Sequence, residues 1–596
     1  MSHDAGATAP QERVAHLGAA PGGRKRTAGS AGSRAGRAGL AITALSIVAT
    51  VAVGLAGPSA MEPVLPGRPG QPPWALGLHL SPYAAVGLAA AALVAGTAGL
   101  GLCLHAIRRG WTTSPRLILA AGLVAAAVIT LVPPFGSSDH LSYAAYGRMV
   151  ITGHDPYLTT PAMLARLGDP VAGAVQDWRH SPSVYGSLAS GGQALASWIG
   201  GDSTRLTVFV LSLLGLAAFA GTGLLLHALA RGSRERQLRA GLLWTLNPLL
   251  LQVLVAGAHV DSQAIVFGVA AIAIFALGMP NAPPARHPLR RLGVAAAAGA
   301  VAGLAFSVKL SFALVAAGLV VAALLAWWPR PAPGGSAPGR QRPAPGAWGA
   351  WRPLLLAVGG VAAGFAVTAA VAFVPWGLGS AAPALRAGKL VSIGSPWRAV
   401  RSALHLWLGI GEGNAGNLVR AGAIVVAVLL LVLFTRPLLS LAGLAGPPGR
   451  RGPGDLRGQT SVAAGPAAGC DLATLTAASV FVFGFAWLIA WPYVLPWYDG
   501  LAWALLALLP WTSLPWAALD WLVLARTAAL AFGYLPARGI ALPSGLGWLQ
   551  SVVRTAVTPV ALLAVTFILV LLLWPYRPRW PQRRPARRTG PELSRR

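Results

Sequence analysis

The sequence predicts an all-α, polytopic membrane fold, and three observations predict it. Of its 596 residues, 55% are hydrophobic and only 10% are charged, against roughly 25% charged in soluble domains. Apolar runs of 18 or more residues recur along the chain, each long enough to cross about 30 Å of hydrocarbon as a helix. Lys and Arg collect in alternate gaps between those runs, the asymmetry that sets orientation in a bilayer.

The elements follow in order. Residues 1–37 are rich in Ala, Gly and Arg without an apolar core, and read as a disordered, basic cytoplasmic tail rather than a signal peptide. Spans are expected near 38–57, 80–107 and 116–134, and a large outer loop, 135–203, follows them. Further spans lie near 204–230, 240–257, 260–279, 292–307 and 310–328. A Pro/Gly-rich cytoplasmic linker, 329–352, precedes the span near 353–375. The outer segment 376–417, the span near 418–435 and a second such linker, 440–470, come next. Spans near 472–494, 499–512, 514–534 and 552–575 complete a membrane domain covering 38–575, and 576–596 is a basic cytoplasmic tail. Several of these runs are short, so the expected total is 12 to 14 spans.

With the N-terminus inside, 32 of the 46 Lys and Arg residues fall on the inner side and nine of the 16 acidic residues on the outer. Shifting the map by one span reverses that bias. Both termini are therefore expected in the cytoplasm, and the net charge of +30 reports topology rather than nucleic-acid binding. Cys103 and Cys470 lie in or beside spans on the inner half, which supports neither a disulfide framework nor a zinc site.

The polar segments with varied chemistry all face outward. The first opens at Asp139, directly after an apolar span. Asp139, Tyr143 and Tyr146 are spaced i, i+4, i+7 and share one face of a helix, with Arg148 just beyond. Asp139 then reads equally as a site carboxylate or as the N-cap of a helix starting at His140, with the tyrosines as interfacial belt residues. The same loop carries Asp155, Tyr157, Asp177, Trp178 and Tyr185. Asn247-Pro248 stands within the span near 240–257, and His259 and Asp261 follow at the next outer turn. That last pair could bind a sugar hydroxyl or a divalent ion, although a metal needs more ligands than two. Lys309 lies between two apolar runs, where an ionisable group points to function by default; snorkelling to the headgroups is the alternative. Lys389, Arg398 and Arg401 are outer cations, against the topological bias, and an anionic partner such as a lipid phosphate would satisfy them. Trp497 and Tyr498 offer rings for sugar stacking or for an aromatic belt. Asp520, inside an apolar run, is expected to pair with Arg526.

A carboxylate, cations, hydroxyls and aromatic rings on one membrane face fit sugar transfer from a polyprenyl phosphate donor. The carboxylate would remove the acceptor proton and the cations would meet charge on the leaving phosphate. No large globular domain or nucleotide-binding loop speaks for a soluble nucleotide-sugar donor.

The run Asp139, Tyr143, Gly147-Arg148, Asp155-Pro156-Tyr157, Trp178 and Tyr185-Gly186 resembles the polyprenol-phosphomannose-dependent α-1,6-mannosyltransferases, among the multi-spanning GT-C glycosyltransferases. Asn247-Pro248, His259 with Asp261, Val308-Lys309 and Pro496-Trp497-Tyr498 follow in the same order, so the resemblance spans roughly 115–510. It implies a GT-C-like fold with large extracytoplasmic loops in the plasma membrane of a bacterial cell. It also implies an extracytoplasmic active site and inverting transfer of a hexose, mannose, from a polyprenyl monophosphate to a glycan or glycolipid acceptor. Asp139 matches the family's base. Lys309, Arg398 and Arg401 become candidates for the donor phosphate. Tyr143, Tyr146, Arg148, Asp155, Tyr157, Tyr185, His259, Asp261, Trp497 and Tyr498 become candidates for the sugar and acceptor sites. No cofactor is expected, a divalent cation staying open, and no nucleic-acid partner. The rival from another class is a transporter or flippase of a lipid-linked sugar, which predicts inverted repeats and broken helices with polar groups at mid-depth. A receptor without catalysis leaves the shared outer charges unexplained.

Overall fold

The computed structural model describes residues 23–279, 287–328, 347–444, 471–536, 538, 540 and 542–576. Every regular element among them is helical, and 12 helices are long and apolar enough to cross a membrane. The outer loop is entered through α1 (Gly23–Ala56), α2 (Pro82–Arg108) and the shorter α3 (Pro115–Thr130). The loop carries α4 (Asp139–Ile151) and α5 (Ser187–Gly200). Then come α6 (Thr204–Leu229), α7 (Arg234–Val255), α8 (Asp261–Gly278), α9 (Pro288–Val308) and α10 (Ala313–Trp327). The remainder comprises α11 (Ala347–Phe373), α12 (Pro396–Leu406), α13 (Glu412–Leu441), α14 (Leu472–Ala490), α15 (Gly500–Leu506), α16 (Trp516–Gly533) and α17 (Thr558–Leu573).

Local chemistry sets the boundaries. Ser81 and Ser114 cap α2 and α3 by accepting from the amides of Ala84 and Leu117, and in both a proline follows directly; proline at the first helical position removes an N–H that would otherwise lack a partner. In α7 the break at Pro248 is repaired by the buried Asn247. Its amide donates to the Leu243 carbonyl at 3.0 Å, and its oxygen accepts from the amides of Leu249 and Leu250.

The structure departs from the sequence expectation in three places. Residues 23–37, assigned to the disordered tail, continue α1, because Gly36 packs against the Trp111 ring and Gly39 against Cys103 on α2. The rest of that tail, most of both linkers, Cys470 and the C-terminal tail from 577 lie outside the described residues. The expected span 499–512 contracts to the seven-residue, fully buried α15. It runs inward from Trp497 and Tyr498 to where Arg239, near the start of α7, donates to the carbonyls of Leu506 and Leu509. Asp520 pairs not with Arg526 but with Arg239 and, at 3.3 Å, with Arg108 at the end of α2. These contacts place the arginine-rich helix ends together, opposite the outer loop. Arg526 instead meets Asp499, since the six residues from Asp520, about one and two-thirds turns of helix, put it on another face.

Candidate functional site

The outer loop and three hairpin turns converge on one buried polar cluster. Asp139 is the first residue of α4, and its amide donates to Ser137 Oγ at 3.1 Å. The helix thus begins on Asp139 itself, and its carboxyl points into the cluster rather than capping the helix. Asp261 likewise opens α8. Lys309 occupies the single extended residue between α9 and the turn leading to α10. Its ammonium lies 2.6 Å from Asp261 Oδ1 and 3.5 Å from the centre of the Tyr498 ring, held by an ion pair and a cation–π contact together.

Two close approaches make this convergence possible. A Cβ on Gly186 would collide with the carbonyl of Ser307, and the Gly186 amide donates to the Val308 carbonyl at 3.0 Å, which joins the outer loop to the Lys309 turn. A Cβ on Gly147 would collide with the Gln193 backbone, so glycine lets α4 lie directly on α5.

Around Asp139 the groups divide by role. Burial, and then the negative charges of Asp261 and Asp177, push its carboxyl up to about 7, while Lys309 and a hydrogen bond from Trp178 pull it back. That places it where a base is half ionised near neutral pH. His259 Nδ1 lies 3.6 Å from Asp139 Oδ2, beyond hydrogen-bond distance, and burial holds the imidazole well below its usual range and therefore neutral. Its ring stacks on Trp497, centroids 3.6 Å apart. The Tyr185 hydroxyl donates to that of Tyr143 at 3.2 Å, and the two rings meet edge to face. Burial pushes both phenols well above 10, as it does that of Tyr498. They stay neutral and able to donate.

A narrow apolar groove leads away from Asp261, Lys309 and Tyr498. Phe481, Phe485 and Leu488 of α14 form one wall, and Leu501 and Leu505 of α15 form another. The groove runs into the bundle.

The remaining sequence candidates sit elsewhere. Tyr146 turns from the cluster to donate to the Ser181 carbonyl at 3.0 Å. Arg148 is fixed by Asp169 at 2.6 Å and Asp202 at 2.5 Å. Asp155 accepts from the Tyr157 amide, and the Tyr157 hydroxyl meets Ser190; these four shape the loop. Arg398 and Arg401 lie on α12, an amphipathic helix whose Trp397 and Val400 face an apolar cavity shared with Trp491 and Leu562. Arg398 is exposed and Arg401 pairs with Glu412 at 3.3 Å. Among the described residues no contact joins either to Lys309. Nor do three or more His, Cys, Asp or Glu side chains gather as metal ligands among those residues.

Sequence reasoning assigned no role to Trp178, although it stood in the family-like run. Its backbone is left-handed, φ +62°, a conformation costly for a bulky residue and frequent at functional sites. Ala258, beside His259, shares it at φ +51°.

Residues 37–326 match the family described as "Alpha-(1->6)-mannopyranosyltransferase, N-terminal domain", which bears out the resemblance over that part of the chain. Among curated proteins, the chain is 33% identical over 137 residues to Alpha-(1->6)-mannopyranosyltransferase B of Corynebacterium glutamicum, covering 23% of each chain. It is 32% identical over 148 residues to a probable alpha-(1->6)-mannopyranosyltransferase of Mycolicibacterium smegmatis, covering 24% of this chain and 25% of that one. It is 31% identical over 179 residues to an alpha-(1->6)-mannopyranosyltransferase of Mycobacterium tuberculosis, covering 28% and 29%. The matched segments thus span about a quarter of those relatives' length. No solved structure matches the chain.

Proposed function

We propose that the protein is an inverting membrane mannosyltransferase that takes its sugar from a polyprenyl monophosphate and gives it to an extracytoplasmic glycan or glycolipid. The observation that carries this reading is the convergence of Asp139, His259, Asp261 and Lys309 on one buried cluster, with Asp261 and Lys309 lining the head of the apolar groove. A base, a cation for a phosphate and a channel for an isoprenoid chain meet there. The likeness of residues 37–326 to mannopyranosyltransferases supports the sugar. The distribution of Lys and Arg supports an extracytoplasmic site in a plasma membrane with both termini inside.

In this mechanism the polyprenyl tail lies between Phe481, Phe485 and Leu501, and the phosphate meets Lys309. The acceptor hydroxyl gives its proton to Asp139 while its oxygen bonds to the anomeric carbon. The bond from that carbon to the phosphate oxygen breaks on the opposite face, inverting the centre. Its electron pair leaves with the polyprenyl phosphate, whose growing charge Lys309 stabilises. The neutral phenols of Tyr143 and Tyr185 donate to sugar hydroxyls, and the Trp497 indole supplies an apolar ring. With Arg398 and Arg401 on α12, the donor phosphate falls to Lys309.

Transfer from radiolabelled polyprenyl-phosphate mannose by purified, reconstituted protein tests the reading. Wild-type protein forms an α-linked product, and Asp139→Asn, inserted at wild-type level, forms none. Retained transfer in Asp139→Asn removes the base; labelled donor that only crosses the bilayer establishes the transporter instead.

A further inference from the structure

α12 roofs a cavity beside the segment that carries Trp497 and Tyr498 into the polar cluster. Its inward face is Trp397, Val400 and Leu404, spaced i, i+3, i+7. The Trp397 indole N–H donates to the Ala490 carbonyl at the end of α14, at 2.7 Å, and its ring lies against α13 at Gly422. Just before the helix, Ser392 Oγ donates to the Val494 carbonyl and accepts from the Val494 amide, both at 2.9 Å. These bonds fasten α12 to the bundle. Beneath it the cavity is walled by Val426 of α13, Ile489 of α14, Trp491, and Leu562 and Leu563 of α17. Leu563 belongs to an exposed apolar stripe with Val560, Phe567 and Leu571, the face a membrane span turns to lipid. The rim of the cavity therefore reaches the hydrocarbon.

Along one edge of the inward face of α12 runs a basic stripe. Arg398, Arg401 and His405 are spaced i, i+3, i+7, and Arg401 stands one turn from Trp397. Arg386 and Lys389 precede them, so residues 376–417 hold four Lys or Arg against one acid, Glu412. Arg386, Lys389 and Arg398 are exposed. Arg401 meets Glu412 at 3.3 Å in an exposed pair that contributes little. The same segment exposes Leu385, Leu406, Trp407 and Leu408 by 66–83%. Basic and large apolar side chains combined in this way describe a helix lying in an anionic membrane interface. The cations are spread along the segment, which suits the many phosphates of a leaflet better than one sequestered phosphate.

We propose that α12 and the cavity beneath it form a seat for an anionic phospholipid of the leaflet on the polar cluster's side. Its phosphate lies on Arg398 and Arg401, and one acyl chain fills the cavity. Opposite charge selects the headgroup, and the apolar walls hold the chain. Leu488 of α14 lines both this cavity and the groove below Lys309, and Arg526 holds that turn by donating to the Leu488 carbonyl at 2.9 Å. The seated lipid thus backs a wall of the groove without being a reactant. The inference goes beyond the proposed transfer reaction and does not depend on it.

The test is binding of radiolabelled dioleoyl-phosphatidylglycerol to the purified full-length protein in neutral detergent, with unlabelled lipids as competitors. Wild-type protein should bind it saturably and prefer it about tenfold over phosphatidylcholine with the same chains. The double variant Arg398→Gln, Arg401→Gln should lose about tenfold in affinity. Val426→Phe, which fills the cavity, should lose about as much. Equal binding of the two phospholipids, or wild-type affinity in either variant, overturns the proposal. So does displacement of the label by free polyprenyl phosphate at lower concentration than by unlabelled phosphatidylglycerol, which gives the seat to an isoprenoid. If Val426→Phe fails to fold, the exposed arginine variant decides alone.

Discussion

Lys309 and Asp261 form an ion pair at 2.6 Å in which the lysine side chain is 14% exposed and the aspartate 4%. The residues come from different hairpins, so the pair fixes the turn before α10 against the start of α8. Removing one partner of such a buried pair leaves an uncompensated charge, a loss of about 3–5 kcal/mol. Lys309→Ala should therefore unfold at a clearly lower temperature in detergent and should lose transfer about 100-fold or more, its phosphate partner gone. The double variant Lys309→Met, Asp261→Leu should regain the thermal stability without the activity. Wild-type transfer by either variant would take the phosphate role from Lys309.

The pH profile of the wild-type enzyme follows from Asp139. A base acts ionised, and burial with the charges of Asp261 and Asp177 puts this carboxyl at about 7. The rate should fall about tenfold per pH unit below that value. Asp177→Asn keeps an acceptor for Ser138 but removes one of the negative charges that raise Asp139. Its acid limb should move down, by about half to one pH unit. A limb that ignores the substitution would assign the titration to another group.

The cluster was legible because its members are rare where they stand. An Asp, a second Asp and one of three lysines, each at the edge of an apolar run, are conspicuous in a chain with so few charges. Pairing was not legible. Asp520 meets Arg239 and Arg108 across more than 250 residues, whereas sequence reasoning offers only the nearby Arg526. Helical spacing grouped Tyr146 with Asp139, and at i+7 it keeps nearly the same face, but it stands about 10 Å further along the axis, where its hydroxyl donates to the Ser181 carbonyl. Trp178 gave no periodic signal, because its left-handed backbone is set by a turn in the loop and not by hydrophobic spacing. The shortness of α15 follows from carbonyls that Arg239 satisfies, again a distant partner.

Glu62, in the loop after α1, is 2% exposed with one carboxylate oxygen lacking a hydrogen-bond partner. Burial raises it to about 9, against the opposing pull of Arg538 and Arg205. Between pH 4.5 and 9 the folded protein thus holds a proton that the unfolded chain has released. Stability falls as pH rises through that window and levels above it. At pH 7 the penalty is on the order of 3 kcal/mol. Glu62→Gln carries no such proton, so its melting temperature should match wild type near pH 5 and exceed it increasingly at pH 7 and pH 9. An offset that is equal at pH 5 and pH 9 would show that Glu62 is ionised in the folded state.

The groove below Lys309 predicts discrimination by chain length. Gly484 lines it, and a Cβ placed there would meet only Leu501, at 3.7 Å, an ordinary contact. A larger side chain at this position therefore projects into open groove without disturbing the backbone. Gly484→Leu should displace about one isoprene unit of a bound donor. At about 0.8 kcal/mol per buried methylene, and with part of the tail rerouted, the loss comes to roughly tenfold or more in KM. A donor with only two isoprene units ends before the obstruction if the chain enters at Lys309 and runs toward Phe481. Its kcat/KM should then be nearly unchanged in the variant while that of the long-chain donor falls. Asp139 is untouched, so kcat at saturating long-chain donor should also hold. Equal losses for short and long donors would place the isoprenoid elsewhere, with the cavity beneath α12 the alternative to examine.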